Sequence, residues 1–284
     1  MAACGDTAEG LYPGTGMARA RRRTISMASL ESFGLDDQVV VVTGAGRGLG
    51  RVIAWDAFRS GARLAIGSRT SGELSSLTAE IAGAGGECMH HVLDVTDVDS
   101  IQAFMQAVVD HYGRIDVLIN NAGFNTHGKI IDTAEEDYDR IVDANLKNVF
   151  FCSQVAARRM IAQGSGGAIV NMSSQAGVVG APMRGAYSGA KGGVNNLTRT
   201  MAAEWAEFGI RVNAVAPTVT RSPLSARAME ENPGFAEAVR THNLLRGDLA
   251  EPDEISAPVI FMASRAASMI TGHTLVVDGG WTIV

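Results

Sequence analysis

Thr43-Gly44-Ala45-Gly46-Arg47-Gly48-Leu49-Gly50 decides the reading of this chain. It follows a β-branched run, Gln38–Val42, and precedes thirteen residues, Gly48–Ser60, with helical spacing. Glycine lets a backbone turn sharply and approach a ligand closely, and a helix N-terminus presents unpaired N–H groups and a partial positive charge. A glycine turn between a strand and a helix therefore predicts a pyrophosphate cradle in a βαβ unit.

The pattern repeats outward from there. Strands are predicted at Ala62–Gly67, Glu87–Leu93, Ile115–Ile119, Ala168–Met172, Ile210–Val215 and Thr274–Val277. Helices are predicted at Gly72–Ala84, Val98–Tyr112, Tyr187–Glu207 and Pro252–Ala263, with one long amphipathic helix over Glu135–Ala162. Thr218–Asp248 reads as polar and less regular. Apolar strands alternating with helices imply α/β: a single-domain Rossmann fold, a doubly wound parallel sheet of about seven strands covered on both faces. No Pro- or Ser-rich linker divides it, so 37–284 is read as one domain. Residues 1–36, with the basic run Arg19, Arg21, Arg22 and Arg23, read as a disordered extension. Met17 and Met27 are candidates for an internal start.

Composition narrows the function. The chain has 284 residues, 46% hydrophobic and 19% charged, and a net charge of −6. The acidic balance argues against a nucleic-acid partner. No run of about 18 apolar residues suggests a membrane span. Cys4, Cys88 and Cys152 are scattered, so no metal site is expected.

An acidic side chain at the end of the second strand would select NAD through the ribose hydroxyl. That place reads Gly67-Ser68-Arg69-Thr70. Arg69, with Arg47 from the glycine loop, suits a 2′-phosphate, so NADP(H) is expected over NAD(H). Tyr187 and Lys191 are four apart on one predicted helix and share a face. A nearby ammonium stabilises a phenolate and fits the pair for acid/base work on an alcohol oxygen. Ser174 closes the preceding strand.

Together these motifs resemble the short-chain dehydrogenase/reductase family, from about Leu35 to the C-terminus. The family's TGxxxGxG is matched by Thr43, Gly44, Gly48 and Gly50, with Gly46, Arg47 and Leu49 between them. Asp94-Val95 matches the adenine contact, and Asn121-Ala122-Gly123 belongs to the NNAG motif that starts at Asn120. Asn145 matches the helix asparagine. Ser174, Tyr187 and Lys191 match the catalytic serine and YxxxK. The resemblance implies hydride transfer between the nicotinamide and a carbonyl or secondary alcohol: a 3-oxoacyl thioester, sugar acid, polyol or ketone. Tyr187 would move the proton. Lys191 would lower its pKa and hold the ribose hydroxyls. Ser174 would bind the substrate oxygen, and Asn145 would position a relay water. Pro217, Val219 and Ser222 would meet the carboxamide. The resemblance also implies a cytoplasmic homotetramer, with Trp281 at a subunit contact and Pro223–Asn243 as a lid.

Two positions depart from the family's pattern. Thr218 follows Pro217 where glycine is usual, and Asp248 stands where an arginine is usual. Arg184 could bind a carboxylate or phosphate, but a lone arginine there is more often a surface residue. The competing function is a non-catalytic dinucleotide sensor or scaffold. The complete set of Asn145, Ser174, Tyr187 and Lys191 argues for the enzyme.

Overall fold

The computed structural model describes residues 30–284. Seven parallel strands form one sheet: β1 (Val39–Thr43), β2 (Arg63–Ser68), β3 (Cys88–Val92), β4 (Val117–Asn120), β5 (Gly167–Met172), β6 (Ile210–Pro217) and β7 (Thr274–Val277). Their order is β3-β2-β1-β4-β5-β6-β7, and every neighbouring pair is parallel. The chain winds from β1 to β3 in one direction, then returns to β4 and continues in the other. The reversal opens a crevice between the carboxyl ends of β1 and β4, where ligands bind in such sheets.

Side chains alternate across a strand, so an all-apolar strand feeds two cores. Val40, Val42, Leu64, Ile66, Val117 and Ile119 meet α1 (Gly48–Arg59), α2 (Ser71–Gly83) and α9 (Pro252–Ala263) on one face. Val39, Val41, Ala65, Leu118, Ile169 and Val212 meet α3 (Val98–Tyr112), α5 (Asn148–Gln163) and α6 (Gly185–Trp205) on the other. Cys152 is buried in the second core, and Cys88 lies against the first.

The long helix expected over Glu135–Ala162 is corrected. It is α4 (Glu135–Val142) and α5, joined by a π-helical turn at Asp143–Lys147. The turn brings two asparagines inward. Asn145 Nδ2 donates to the carbonyls of Ile141 at 2.9 Å and Phe124 at 2.7 Å. Asn148 Nδ2 donates to Ala122 O at 3.1 Å and to Ala144 O. Such bulges are rare and concentrate at functional sites, and amphipathic periodicity does not reveal a one-residue slip.

Thr218–Asp248 is also more regular than expected. It holds α7 (Pro223–Glu231) and α8 (Pro233–His242). Ser222 caps the first and Asn232 the second, each followed by proline at the first helical position. Ser-Pro and Asn-Pro are start signals visible in the sequence.

The expected extension over 1–36 overlaps the folded body at its end. Leu35 is fully buried, and Phe33 stacks on Phe261 with ring centroids 5.9 Å apart. The basic run, Cys4, Met17 and Met27 lie outside the described residues. Where the family's arginine is replaced by Asp248, Arg221 bridges that carboxylate at 2.7 Å and Glu251 at 2.6 Å, while Arg246 pairs with Glu254.

Candidate active site

The glycine loop leaves β1 at the crevice. Gly44 has φ +68°, and a Cβ there would sit 2.8 Å from Ala122 Cα. The loop after β4 is tied to it. Thr43 Oγ1 accepts from the N–H groups of Asn121 and Ala122, each at 3.1 Å. Asn121 Nδ2 donates back to the carbonyls of Thr43 at 3.0 Å and Gly44 at 3.1 Å. Asn120 carries the tie into the sheet through Ser153 Oγ and Asn171 Oδ1, both at 2.8 Å. Buried polar groups linked this way hold a loop in one shape.

Helix α1 begins at Gly48 with no side-chain cap from Arg47. Nothing stands within 4 Å of a Cβ built on Gly48. An uncapped twelve-residue helix facing open space offers free N–H groups to an anion. Beyond it, Ser68 ends β2, and its buried hydroxyl has no partner among the described residues. A Cβ on Gly46 would lie 2.8 Å from that hydroxyl and 2.6 Å from Glu73 Oε2. The orphaned hydroxyl, the glycine cradle and the bare helix end fit a dinucleotide. Glu73 is a residue that sequence reasoning missed. It lies on α2, five residues past the strand end where an acid was sought, and only the fold turns it toward Gly46.

Arg47 and Arg69 are exposed at the same end. Asp94 Oδ1 accepts from Thr96 N at 2.9 Å and Thr96 Oγ1 at 2.7 Å. Those bonds, with a smaller contribution from Arg69, hold its carboxyl below the usual range. Val95 packs against the second core.

Ser174 and Tyr187 border one hollow with Gln175, Arg184 and Pro217 to Thr220. A wider cleft of about 1240 Å³ adjoins it, bounded by Phe124, Val179, Ser222, Phe235 and Trp281. Helices α7 and α8, within the expected lid, supply one wall. Ser222 Oγ accepts from Ser225 N at 3.1 Å, so this hydroxyl also caps α7. Trp281 stacks on His242 at 5.0 Å and lines the cleft.

Burial pushes the Tyr187 phenol up, while the Ser174 hydroxyl and the Arg184 charge pull it down. Lys191 Nζ lies 5.6 Å from the centre of the tyrosine ring and donates to Met172 O at 2.7 Å. Lys191 is 4% exposed, and burial lowers its pKa to about 8. The structure therefore brings Ser174, Tyr187 and Lys191 to one place, at the carboxyl ends of β5 and β6. Asn145 stands behind Gly123: a Cβ there would lie 2.5 Å from Asn145 Oδ1, which has no partner among the described residues.

The lysine carries a pH consequence. Its folded pKa lies below the ordinary 10.5, so between about 8 and 10.5 the unfolded chain binds more proton than the folded one. Stability from this group rises with pH across that window. The thiols of Cys88 and Cys152 work the opposite way above pH 9, since burial raises them to about 11 and 12. The measurement is therefore a difference: urea midpoints at pH 7.5 and 9.5 for the parent and Lys191→Met. The parent should gain on the variant as pH rises, and an equal response refutes the buried-ammonium account.

Among the described residues no helix is long and apolar enough to cross a membrane, and no cluster of three potential metal ligands occurs. The family model described as enoyl-(acyl carrier protein) reductase matches residues 44–282. The D-threitol dehydrogenase of Mycolicibacterium smegmatis is 39% identical over 253 residues, covering 88% of this chain and 95% of that protein. The 3-oxoacyl-(acyl-carrier-protein) reductase of Thermotoga maritima is 37% identical, covering 88% and 99%. The crystal structure of a gluconate 5-dehydrogenase from Burkholderia cenocepacia J2315, in complex with NADP and tartrate, superposes with a TM-score of 0.85 at 32% identity, covering 89% and 98%.

Proposed function

The chain belongs to the short-chain dehydrogenase/reductase family and acts on CH–OH groups, and from that premise we propose that it moves a hydride between NADP(H) and a secondary alcohol or carbonyl. The convergence of Ser174, Tyr187 and Lys191 beside the glycine cradle carries the reading. Thr43, Gly44, Gly46, Gly48, Leu49 and Gly50 would seat the pyrophosphate at the end of α1. Ser68, Asp94 and Val95 would border the adenosine. Asn121, Ala122, Gly123, Pro217, Val219 and Ser222 would flank the nicotinamide. The nicotinamide supplies or accepts the hydride when bound.

The protein's own work is the proton. Tyr187 donates it to the carbonyl oxygen in reduction and accepts it in oxidation. Burial holds the phenol protonated, which suits it as the acid in reduction. In oxidation the proton must leave, and a charged Lys191 beside the ring eases that departure. Ser174 donates to the developing alkoxide. Asn145, in its π turn, holds a relay water toward Lys191.

The NADP(H) preference rests on Arg47 and Arg69 at the adenosine end, and the Burkholderia relative is described with NADP. Glu73 opposes a phosphate there by like charge and accepts from a free ribose hydroxyl. Arg69→Ala should therefore weaken NADPH far more than NADH, by about tenfold or more for a lost charge-assisted bond. Glu73→Gln should move the ratio the other way. Fluorescence titration of both reduced cofactors reads both changes, and equal weakening of the two by Arg69→Ala refutes the arginine assignment.

The same reading makes the protein a cytoplasmic homotetramer. The deciding assay follows reduced-nicotinamide absorbance with acetoacetyl thioesters, polyols, sugar acids and ketones, each with both cofactors. Turnover with one class supports the proposal. Tight NADPH binding without turnover of any class favours the sensor.

A further inference from the structure

Arg184 carries no proton in the chemistry, though its charge bears on the Tyr187 phenol, and it borders three adjoining hollows at the substrate end of the site. The backbone is bent to place it. Met183, just before it, has φ +66°, a conformation that a side chain other than glycine rarely adopts. Gly128 N donates to Met183 O at 2.9 Å, and Gly128 and Arg184 form a parallel bridge. This clip fastens the loop after β4 to the start of α6. Strained backbone held by such contacts concentrates at ligand-binding positions.

The guanidinium is left without an anion. Its Nε donates to His127 Nε2 at 3.2 Å, which requires that nitrogen to be unprotonated. Burial and the Arg184 charge both lower the His127 pKa, consistent with a neutral ring. Arg184 has no carboxylate within 4.0 Å among the described residues. Of the two acids bordering its second hollow, Asp137 pairs with Arg140 and Asp132 lies beyond ion-pair distance. Among the described residues lining the wide cleft, Arg184 is the one arginine or lysine.

A second observation points the same way. Gln175 borders the same hollow, is 5% exposed, and its Oε1 has no partner among the described residues. Asn125, on the loop of the clip, likewise has a buried Oδ1 without a partner and lines the cleft. A buried acceptor without a donor is costly, and so is a partly desolvated cation without an anion. Hydroxyl groups and one carboxylate satisfy both.

Building on the hydride-transfer reading, we propose that Arg184 is the anion-recognising residue of the substrate cleft. The preferred substrates are hydroxy or oxo acids whose carboxylate lies a few bonds from the reacting carbon, with neighbouring hydroxyls on Gln175 and Asn125. Arg184 and Tyr187 are three residues apart at the start of one helix and therefore neighbours, which sets the short spacing. The fork pairs with either anion, but one guanidinium supplies one positive charge, which neutralises a carboxylate and leaves a phosphate dianion half-compensated, so a carboxylate fits better.

The test is calorimetric binding to the protein saturated with NADP+. It compares D-gluconate with D-glucitol and 3-hydroxybutyrate with 1,3-butanediol, each acid against its neutral counterpart. At least one acid should bind about tenfold to a hundredfold more tightly than its counterpart, the range of one or two charge-assisted bonds. Arg184→Met should erase the gap, and Arg184→Lys should keep part of it. NADPH affinity and melting temperature of the variants report folding and cofactor binding separately, so a failed hydride-transfer reading is distinguishable from a failed anion assignment. The proposal is overturned if no acid exceeds its counterpart, if neither member of any pair binds, or if Arg184→Met keeps the gap. Tighter binding of sn-glycerol 3-phosphate than of both acids overturns the carboxylate assignment.

Discussion

Tyr187→Phe is expected to cut kcat by about a hundredfold to ten-thousandfold, the usual worth of a positioned acid or base. The ring stays, so packing and the Lys191 Nζ position over it stay with it. Only the hydroxyl that faces the Ser174 hollow is lost. NADPH affinity should change little, because the glycine cradle and the end of α1 are untouched. Stopped-flow absorbance separates hydride transfer from binding. Turnover retained within threefold would remove Tyr187 from the proton path and leave the fold without an evident acid. The pH dependence supplies a second check. Burial raises the phenol, so alcohol oxidation, which needs the base, should climb as pH rises through the neutral range, while reduction, which needs the protonated phenol, should stay flat there.

Gly50→Ala is expected to damage the cofactor site more than any other single methyl group. A Cβ there would fall inside the Gly44 carbonyl and against Asn121 Nδ2. Both belong to the tie between the glycine loop and the loop after β4. The loops must part to admit the methyl, and overpacking of this kind costs about 1–3 kcal/mol. NADPH affinity should fall at least about tenfold, since the N–H groups of α1 are displaced from the crevice. Gly83→Ala is the control. It is the last residue of α2, outside the glycine loop, and an added Cβ there meets nothing within 4 Å, so stability and NADPH affinity should hardly change. Thermal melts and cofactor titrations of the two variants isolate the collision. Equal effects on cofactor binding would mean that the tie between the loops does not shape the site.

Much of the site was legible in the chain because its signals are local. Strand-end glycines, a Tyr and Lys one helical turn apart, and a serine closing a strand can each be recognised within a few residues. The parts that were not legible depend on register or on approach between distant segments. The π turn at Asp143–Lys147 shifts one residue inside a continuous amphipathic pattern, so periodicity alone reads a single helix. Glu73 lies outside the strand-end position where a ribose-binding acid is sought, and the packing of α2 brings it to Gly46. Arg184 reads as an ordinary surface arginine until Met183 and Gly128 are seen to fix its place.

By itself, then, the sequence determined the alternation of apolar strands and helices, the parallel sheet, the glycine cradle after the first strand, and the order of the motifs along the chain. These follow from short-range periodicity and backbone chemistry. Only the tertiary structure decided which polar groups are left without partners. Ser68, Gln175 and Asn125 are ordinary polar residues in the sequence, and the guanidinium of Arg184 is an ordinary charge. Each acquires its meaning from burial, because an unpaired donor, acceptor or cation is cheap in water and costly in a closed crevice. Burial is set by segments far apart in the chain, and no local pattern records it.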